Sequence, residues 1–413
     1  MRKKIFALLL ALLLLTMPFL LTACEVSESR VKTLYVYNWG EYISDGSEDS
    51  YDSNAAFEAW YYETYGERVK VNYSTYSSNE SLYAKLSSGS VSYDVICPSD
   101  YMIERLISED MLLPLNYDNI PLAQANLRPE FFGETAKFDH YDKGNVYSVP
   151  YFYGMVGMIY NTTMVEETDE DIGSWSLMWD EDYKGNILQF NNSRDAFGTA
   201  QYYLGLDVNS DDDEDWRQAL ELLKEQKEIV QGYVMDEIFN KMENGSAAIA
   251  AYYAGDFLSM YENNEDLEFF YPEEGTNLYV DAMCIPKNSE NPELAEAYIN
   301  FMLMEEPAIA NAEYTYYASP NRLVYESEEY REYLNEIKED GFEEMYDTES
   351  IERATSYENL SAEKLILINS LWEELKSDID IGPSIYIICI IIVAALICIF
   401  LFLALRKRYR NNY

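Results

Sequence analysis

Histidine is nearly absent from this sequence, and cysteine is scarce. The 413 residues include one histidine, His140, and five cysteines. A single imidazole cannot build a histidine-based metal site, and the cysteines form no cluster that would replace it. We therefore expect no bound metal. His140 lies in a polar stretch, residues 139–145, that is typical of a loop.

The cysteines are also too dispersed for a disulfide framework. Cys389 and Cys398 lie in an apolar run, and Cys24 lies in a processing site described below. That leaves Cys97 and Cys284, which could pair with each other or could both be buried thiols. The apolar residues that flank both of them favour buried thiols.

Motifs of common enzymes are missing too. The sequence contains no Gly-Xaa-Ser-Xaa-Gly elbow, no phosphate-binding P-loop and no His-Glu-Xaa-Xaa-His motif. We therefore expect a binding protein rather than an enzyme, with no catalytic residue and no cofactor.

Basic residues are few relative to acidic ones. There are 29 Lys and Arg against 74 Asp and Glu, which gives a formal net charge of −45 at pH 7. Such a chain repels nucleic acid and draws cations toward its clefts, although most surface acids serve solubility. Tyrosine, in contrast, is abundant at 39 residues, and its polar tip suits half-wet sites. The composition excludes nucleic acid as a partner without naming a ligand.

Both ends of the chain carry signals for membrane attachment. Basic residues 2–4 precede an apolar run over residues 5–21, and Leu-Thr-Ala-Cys follows at 21–24. This resembles a lipoprotein signal, so we expect lipidation at Cys24. A plain signal peptide and an uncleaved anchor are the alternatives.

A second apolar run, residues 385–405, is long enough for a transmembrane helix and is followed by a basic tail, residues 406–413. The basic tail predicts a cytoplasmic C-terminus and a body on the extracellular, or periplasmic, side of the cell membrane. The chain is then lipid-anchored, single-pass or both. The tail is too short for a signalling domain, which argues against a membrane sensor.

Strand-like and helix-like segments alternate between these ends, which predicts an α/β fold. The strand-like segments are residues 33–37, 69–73, 93–97 and 247–252, and the helix-like segments are residues 55–65, 81–87, 103–108, 215–230 and 291–304. Such units fit two open sheets, and the cleft between two lobes of this kind is a natural site for a small molecule.

The loop after the first predicted strand combines aromatic rings with a carboxylate in the sequence YNWGEY, residues 37–42. Glu41 would supply charge to an organic cation, while Trp39 and Tyr42 would supply cation–π contact and apolar walls. Taken alone, such a loop does not specify a ligand.

Further motifs extend this pattern along the chain. They are YSTY at 73–76, NESLYAKL at 79–86, YDV at 93–95, PSDY at 98–101, SVPY at 148–151, DAMCIP at 281–286 and YASPN at 317–321. Their order and spacing resemble the spermidine/putrescine-binding proteins of bacterial polyamine importers, a periplasmic-binding-protein family. The resemblance covers residues 33–376, nearly all of the chain between the two end signals.

The resemblance implies a two-lobed periplasmic-binding-protein clamp, type II-like, that takes up spermidine or putrescine for the permease subunits of an ABC importer. Lobe 1 would comprise residues 33–148 and 281–322, and lobe 2 would comprise residues 151–279 and 323–376. Closure on the ligand would create the surface that the permease recognises, and we expect a monomer.

The family's ligand contacts carry over position by position. They are Trp39, Glu41, Tyr42, Ser99, Tyr101, Asp195, Tyr253, Tyr279, Asp281, Tyr317 and, through a looser alignment, Glu358. The resemblance assigns most of the charge recognition to Asp195 and Asp281. Asp195 could instead cap the helix that follows it, and Asp281 could be a hinge acid held by backbone amides.

Some positions depart from the family pattern. Gly40 replaces a hydroxyl residue, Asn192 replaces an Asp, and Tyr253 and Tyr279 replace two Trp. The reduced charge at Asn192 leaves the preference between spermidine and putrescine open.

A clamp for another solute is the alternative. An amino-acid ligand would need an arginine for its carboxylate, which Arg194 could provide, and an iron site would use tyrosine pairs such as Tyr316 and Tyr317.

Overall fold

The computed structural model describes residues 31–166, 168–351 and 353–377. Within these ranges strands and helices alternate along much of the chain, which confirms the α/β prediction. The strands are β1 Lys32–Trp39, β2 Val69–Tyr76, β3 Val95–Ile96, β4 Ser148–Asn161, β5 Ile187–Phe190, β6 Val230–Val234, β7 Ile249–Tyr253, β8 Leu267–Phe270 and β9 Leu278–Cys284.

Along the chain, α-helices separate many of the described strands from one another. They are α1 Ser53–Tyr65, α2 Asn79–Ser87, α3 Asp100–Ser108, α4 Pro121–Asn126, α5 Ser193–Leu204, α6 Asp213–Lys227, α7 Glu237–Glu243, α8 Ala254–Asn263, α9 Pro292–Met302, α10 Glu305–Thr315, α11 Arg322–Tyr325, α12 Glu328–Ile337, α13 Gly341–Met345, α14 Thr348–Ile351 and α15 Ala362–Ser377. None of these helices combines the length and the apolar character that crossing a bilayer requires.

The strands form one continuous sheet in the order β2-β1-β3-β9-β4-β7-β5-β6, with β8 paired to β4. The prediction of two separate open sheets is therefore wrong, because β4 and β9 pair between the two halves. Strands β1, β2 and β3 are parallel and form the first half of the sheet. Strands β5, β6 and β7 are parallel to one another and form the second half. The two antiparallel strands β4 and β9 lie between these halves and connect them.

Strand β4 connects the two halves of the sheet through its pairing partners. Its first residues pair with β9, from Ser148 opposite Cys284 to Met155 opposite Leu278, and its last residues pair with β7 and β8. All but one of its residues are buried, which is typical of a strand covered on both faces. The chain therefore passes from one half to the other at the centre of the sheet.

Helix boundaries follow local chemistry. The Asp52 side chain accepts a hydrogen bond from the Ala55 amide at 2.8 Å at the start of α1, and Gly66, with φ 71°, ends that helix in the left-handed region. Helix α9 carries Pro292 in its first turn, where the missing amide hydrogen has no consequence.

A second core lies outside the main one. Helix α15 packs on α5 and α6, and the core includes Phe197, Trp216 and Leu371. The segment before α15, residues 353–361, runs past the centre of the sheet: the Thr355 amide donates to the Thr276 carbonyl at 2.9 Å. This segment, which we call the strap, contacts both halves.

Most of the predicted elements are confirmed, with shifted ends. Strand β3 has two residues instead of five, and helix α6 ends at Lys227, three residues before the predicted end. Cys97 and Cys284 are free and buried, as predicted, and His140 lies in a turn. The signal (residues 1–24, with Cys24), the apolar run (385–405) and the basic tail (406–413) lie outside the described residues.

Candidate ligand-binding cleft

A cleft opens between the two halves of the sheet and has a volume of about 790 Å³ including its mouth. Loops after β1 and β3 line it from the first half, and the N-terminal ends of α5, α7 and α8 line it from the second. Residues of β9 lie between them. This is where the ends of parallel strands place polar groups in open α/β sheets.

Ten of the eleven predicted contacts line this cleft: Trp39, Glu41, Tyr42, Ser99, Tyr101, Asp195, Tyr253, Tyr279, Asp281 and Tyr317. The structure does not bring the eleventh, Glu358, to it. The Glu358 amide donates to Asn209 Oδ1 at 2.9 Å, and its side chain is exposed. The neighbouring strap residue Tyr357 lines the cleft instead, which corrects the loose alignment by one position.

Asp281 lies at the centre of the cleft on β9, opposite Ser99 of the first half. The Tyr42 hydroxyl donates to its Oδ2 at 2.6 Å, whereas Oδ1 has no hydrogen-bond partner among the described residues. Only 4% of the residue is exposed, and this burial raises the pKa of Asp281 to about 6. No backbone amide of the described residues donates to this carboxylate, which argues against a hinge acid held by backbone amides.

Asp195 belongs to the first turn of α5 and is 8% exposed. The side chain of Asn192, not that of Asp195, caps this helix, and it accepts a hydrogen bond from the Asp195 amide at 2.8 Å. Oδ2 of Asp195 accepts hydrogen bonds from the Tyr253 hydroxyl at 2.6 Å and from Asn192 Nδ2 at 2.8 Å. Burial raises the pKa of this carboxyl. The helix-cap alternative for Asp195 is therefore wrong.

Asp256 was missed by the sequence reasoning. It lies in the first turn of α8, three residues after Tyr253, and its Oδ2 accepts a hydrogen bond from the Tyr317 hydroxyl at 2.9 Å. Burial, with the charges of Asp236 and Glu41 beside it, raises the pKa of Asp256 to about 8. An acid directly after a strand that ends in two tyrosines was the available signal.

Glu80 was also missed, although it belongs to the NESLYAKL motif. It lies in the first turn of α2, and the Tyr101 hydroxyl donates to its Oε1 at 3.0 Å. Burial raises the pKa of Glu80, and the charge of Asp195 across the cleft adds to this rise. Glu80 is thus an acid of the first half that lines the same cleft as Asp195 of the second.

Tyrosine rings form the walls of the cleft. Tyr279 meets Tyr253 edge to face at 5.4 Å between ring centroids and lies 6.3 Å from Tyr317, which in turn meets Tyr42 at 4.9 Å. Gly255 permits this arrangement, because a Cβ atom at that position would overlap the Tyr317 ring. These walls suit an apolar chain.

The charged side chains among the described residues that line the cleft are all acidic. Its carboxylates are Glu41, Glu80, Asp100, Asp195, Asp236, Asp256 and Asp281, and no Lys or Arg is among the described residues that line it. Arg194 lies behind the wall, where its guanidinium donates to the Val208 carbonyl at 3.1 Å and to Asn209 Oδ1 at 2.8 Å. It is therefore not placed to bind the carboxylate of an amino acid.

The arrangement does not favour a metal. The one acidic group in the described residues that could hold an ion, Asp169 with Asp171 and Asp180, is absent from the cleft lining. The tyrosine pair diverges, since Tyr316 donates to Glu262 at 2.8 Å and Tyr317 donates to Asp256. Buried carboxylates between aromatic rings are instead suited to an organic cation with several ammonium groups.

Comparisons with known proteins agree with this chemistry. A model of the family described as bacterial extracellular solute-binding protein matches residues 55–336. The spermidine/putrescine-binding periplasmic protein of Salmonella typhimurium is 30% identical over 290 residues, which cover 70% of this chain and 78% of that relative.

Two solved structures are similar over most of the chain. A protein of Listeria monocytogenes described as a spermidine/putrescine ABC transporter is 33% identical with a TM-score of 0.72, and the match covers 84% of this chain and 99% of that one. The spermidine/putrescine ABC transporter substrate-binding protein of Streptococcus pneumoniae is also 33% identical, with a TM-score of 0.64, and covers 84% and 98%.

Proposed function

Because the chain belongs to the bacterial extracellular solute-binding protein family, we propose that it captures a polyamine, spermidine or putrescine, and delivers it to the permease of an ABC importer. Membership of the family agrees with the sequence motifs, and it makes the chain a binding protein and not an enzyme. The observation that carries the polyamine assignment is a cleft lined by seven carboxylates and by aromatic rings, with no cationic side chain among its described residues.

The chemistry of a polyamine matches this lining. Each ammonium group that leaves water needs an acceptor, since an unpaired buried charge costs several kcal/mol or more. Carboxylates supply the strongest such hydrogen bonds, and the methylene segments between the ammonium groups need flat apolar walls. Relatives that are 29% and 30% identical to this chain are named for binding spermidine and putrescine.

Residue roles follow from position in the cleft. In this proposal Asp195 and Asp281 carry most of the charge recognition, and Trp39, Tyr253 and Tyr279 enclose the chain. Ser99, Tyr101 and the remaining predicted contacts shape the rest of the pocket. Tyr357 takes the place that the sequence assigned to Glu358.

The proposal includes a two-lobed, type II-like clamp. Lobe 1 is residues 33–148 with 281–322, and lobe 2 is residues 151–279 with 323–376. The crossing of β4 and β9 between the halves supports a hinge at the centre of the sheet. Closure around the polyamine would present the surface that the permease recognises, with the protein acting as a monomer.

We place the protein at the cell membrane with its body on the extracellular, or periplasmic, side. Lipidation of Cys24, the apolar run of residues 385–405, or both would hold it there. These segments lie outside the described residues, so the argument for them is the sequence pattern alone. Mass spectrometry of the mature N-terminus would show a lipidated Cys24, and an intact unmodified residue 1 would exclude it.

Isothermal titration calorimetry with the full-length protein in detergent tests the function. Spermidine and putrescine should bind, whereas glutamate, glucose and Fe³⁺ should not. The single changes Asp195→Asn and Asp281→Asn should each weaken spermidine binding by about tenfold or more, because each removes a charge-assisted hydrogen bond worth about 1.5–3 kcal/mol. Unchanged affinity in both variants would refute the assignment.

A further inference from the structure

The two ends of the cleft differ in how their acids are held. Near Tyr317, Asp256 has Asp236 and Glu41 as acidic neighbours. Near Tyr101, Glu80 from α2 of the first half and Asp195 from α5 of the second line the same cleft, and the charge of Asp195 contributes to the raised pKa of Glu80. The second end is the one where Asn192 takes the place of an acid, so its charge depends on this pair.

Every hydrogen bond that reaches this pair comes from a neutral group. Glu80 accepts from the Tyr101 hydroxyl at 3.0 Å, and Asp195 accepts from the Tyr253 hydroxyl and from the Asn192 amide group. Arg194, the nearby cation, is directed at Val208 and Asn209 and packs over the Tyr357 ring at 4.4 Å. The charge of Arg194 lowers the pKa of both acids, but no Lys or Arg among the described residues donates a hydrogen bond to either of them.

The rest of the lining also points to a missing cationic partner. Asp281 lines the same cleft and is 4% exposed, and within the described ranges its Oδ1 atom has no hydrogen-bond partner. A buried carboxylate oxygen without a donor is costly unless a ligand supplies one.

A primary ammonium group fits two facing carboxylates better than a secondary one. It carries three N–H donors and a single methylene neighbour, so it can bond to both carboxylates and keep a third donor for another acceptor. A secondary ammonium has only two donors, and the methylenes on both its sides restrict how two carboxylates can approach. The tyrosine rings next to the pair would then contact the first methylenes of the chain.

Resting on the proposed polyamine function, we propose that Glu80 is a specificity-determining residue that, with Asp195, binds one terminal primary ammonium group of the ligand between the two halves of the protein. The ligand thereby neutralises two acids that closure brings together. Glu80 makes the site discriminate against ligands whose corresponding end is uncharged.

The test combines a change in the protein with a change in the ligand. Affinities of wild type and Glu80→Gln are measured by calorimetry for spermidine and for its two monoacetylated forms, each of which has one neutral end. Gln keeps an acceptor for the Tyr101 hydroxyl. We expect Glu80→Gln to weaken spermidine binding by about tenfold or more, as for a charge-assisted hydrogen bond. One of the two acetylated isomers places its neutral end at Glu80. For that isomer, the affinities of wild type and Glu80→Gln should differ by less than about twofold.

Glu63→Gln is the matched control, because it removes the same charge from an exposed position of the first half. It should leave all three affinities unchanged, and Glu80→Asp should give an intermediate loss for spermidine. If Glu80→Gln lost the same affinity for all three ligands, Glu80 would have a structural role only. If Glu80→Gln kept the wild-type affinity for spermidine, Glu80 would not contact the ligand. Either result overturns the proposal for Glu80. Failure of the wild type to bind spermidine and putrescine would instead overturn the polyamine function, and the Glu80 role with it.

Discussion

Asp256 lines the cleft and has a pKa close to neutral pH, so under the proposed function its ionisation should affect ligand binding. Its pKa is raised to about 8, first by burial and then by Asp236 and Glu41, and the pKa of Asp281 is raised to about 6. A bound polyammonium ion favours the ionised carboxylates, so binding releases protons wherever the free protein holds them. Affinity should therefore increase with pH up to about 8, by at most about tenfold per pH unit for each carboxyl that titrates.

Calorimetry at several values between about pH 5 and about pH 8 measures this dependence. The variant Asp256→Asn should bind less tightly at the upper end and should show a smaller slope above about pH 7, because it removes a carboxyl with a pKa of about 8. A wild-type affinity that does not change across the range would contradict the assignment of these two acids to ligand binding.

Gly255 sets the position of a wall residue through its missing side chain. A Cβ atom there would overlap the Tyr317 ring, so Gly255→Ala should displace Tyr317 and break its hydrogen bond to Asp256. We expect spermidine affinity to fall by about tenfold, in line with the 1–3 kcal/mol typical of overpacking. In Gly232→Ala, the control, the new Cβ has no heavy atom within 4 Å, so the affinity should not change. Equal effects of the two changes would exclude this role of Gly255.

Sequence reasoning located the contacts that belong to motifs and missed those that depend on tertiary packing. Asp195 and Asp281 could be predicted because they stand at matched positions. Glu80 belongs to the NESLYAKL motif, but its role in the site depends on α5 placing Asp195 in the same cleft. Tyr357 was missed by one position because the strap has no periodicity to fix its register, and its place depends on contacts with Asn209 and Thr276.

At the scale of elements, helix α15 packs on α5 and α6 through one of its faces. Leu371 on that face is 1% exposed and packs in the core with Phe197 and Trp216, while Ile366 on the same helix is 70% exposed. Leu371→Ala should lower the free energy of unfolding by about 2–5 kcal/mol through lost burial and a cavity. Urea denaturation followed by circular dichroism measures this.

Ile366→Ala provides the control for α15, since an exposed side chain removed from the same helix should change the unfolding free energy by no more than about 0.5 kcal/mol. If Leu371→Ala were as mild as Ile366→Ala, α15 would not pack on α5 and α6 as described.

Elements with clear periodicity were predictable, and elements that depend on the whole sheet were not. The amphipathic helix α6 and the capped helix α1 could be predicted from local pattern. Strand β4 could not, because a strand buried on both faces shows an apolar run without alternation. Its double pairing, with β9 and then with β7, is a property of the finished sheet and has no local signature.

For the whole molecule, the excess of acids predicts how quickly a polyamine arrives. A formal net charge of −45 creates a field that attracts cations, and seven of the acids behind this charge line the cleft. Salt screens this field: the screening length falls from about 30 Å at 0.01 M to about 8 Å at 0.15 M ionic strength. The association rate constant of spermidine should therefore fall steeply over this range, and that of putrescine, which has one ammonium group fewer, should fall less.

Stopped-flow fluorescence can measure these rates, because Trp39 lines the cleft and should report the arrival of the ligand. The dissociation rate should depend much less on salt, since the contacts of the bound amine are buried and poorly screened. Identical salt dependence for spermidine and putrescine would mean that the ligand charge is not what the field acts on. A salt effect confined to the dissociation rate would mean that the acids act only by direct contact, and that the charge of the whole molecule does not guide the ligand to the cleft.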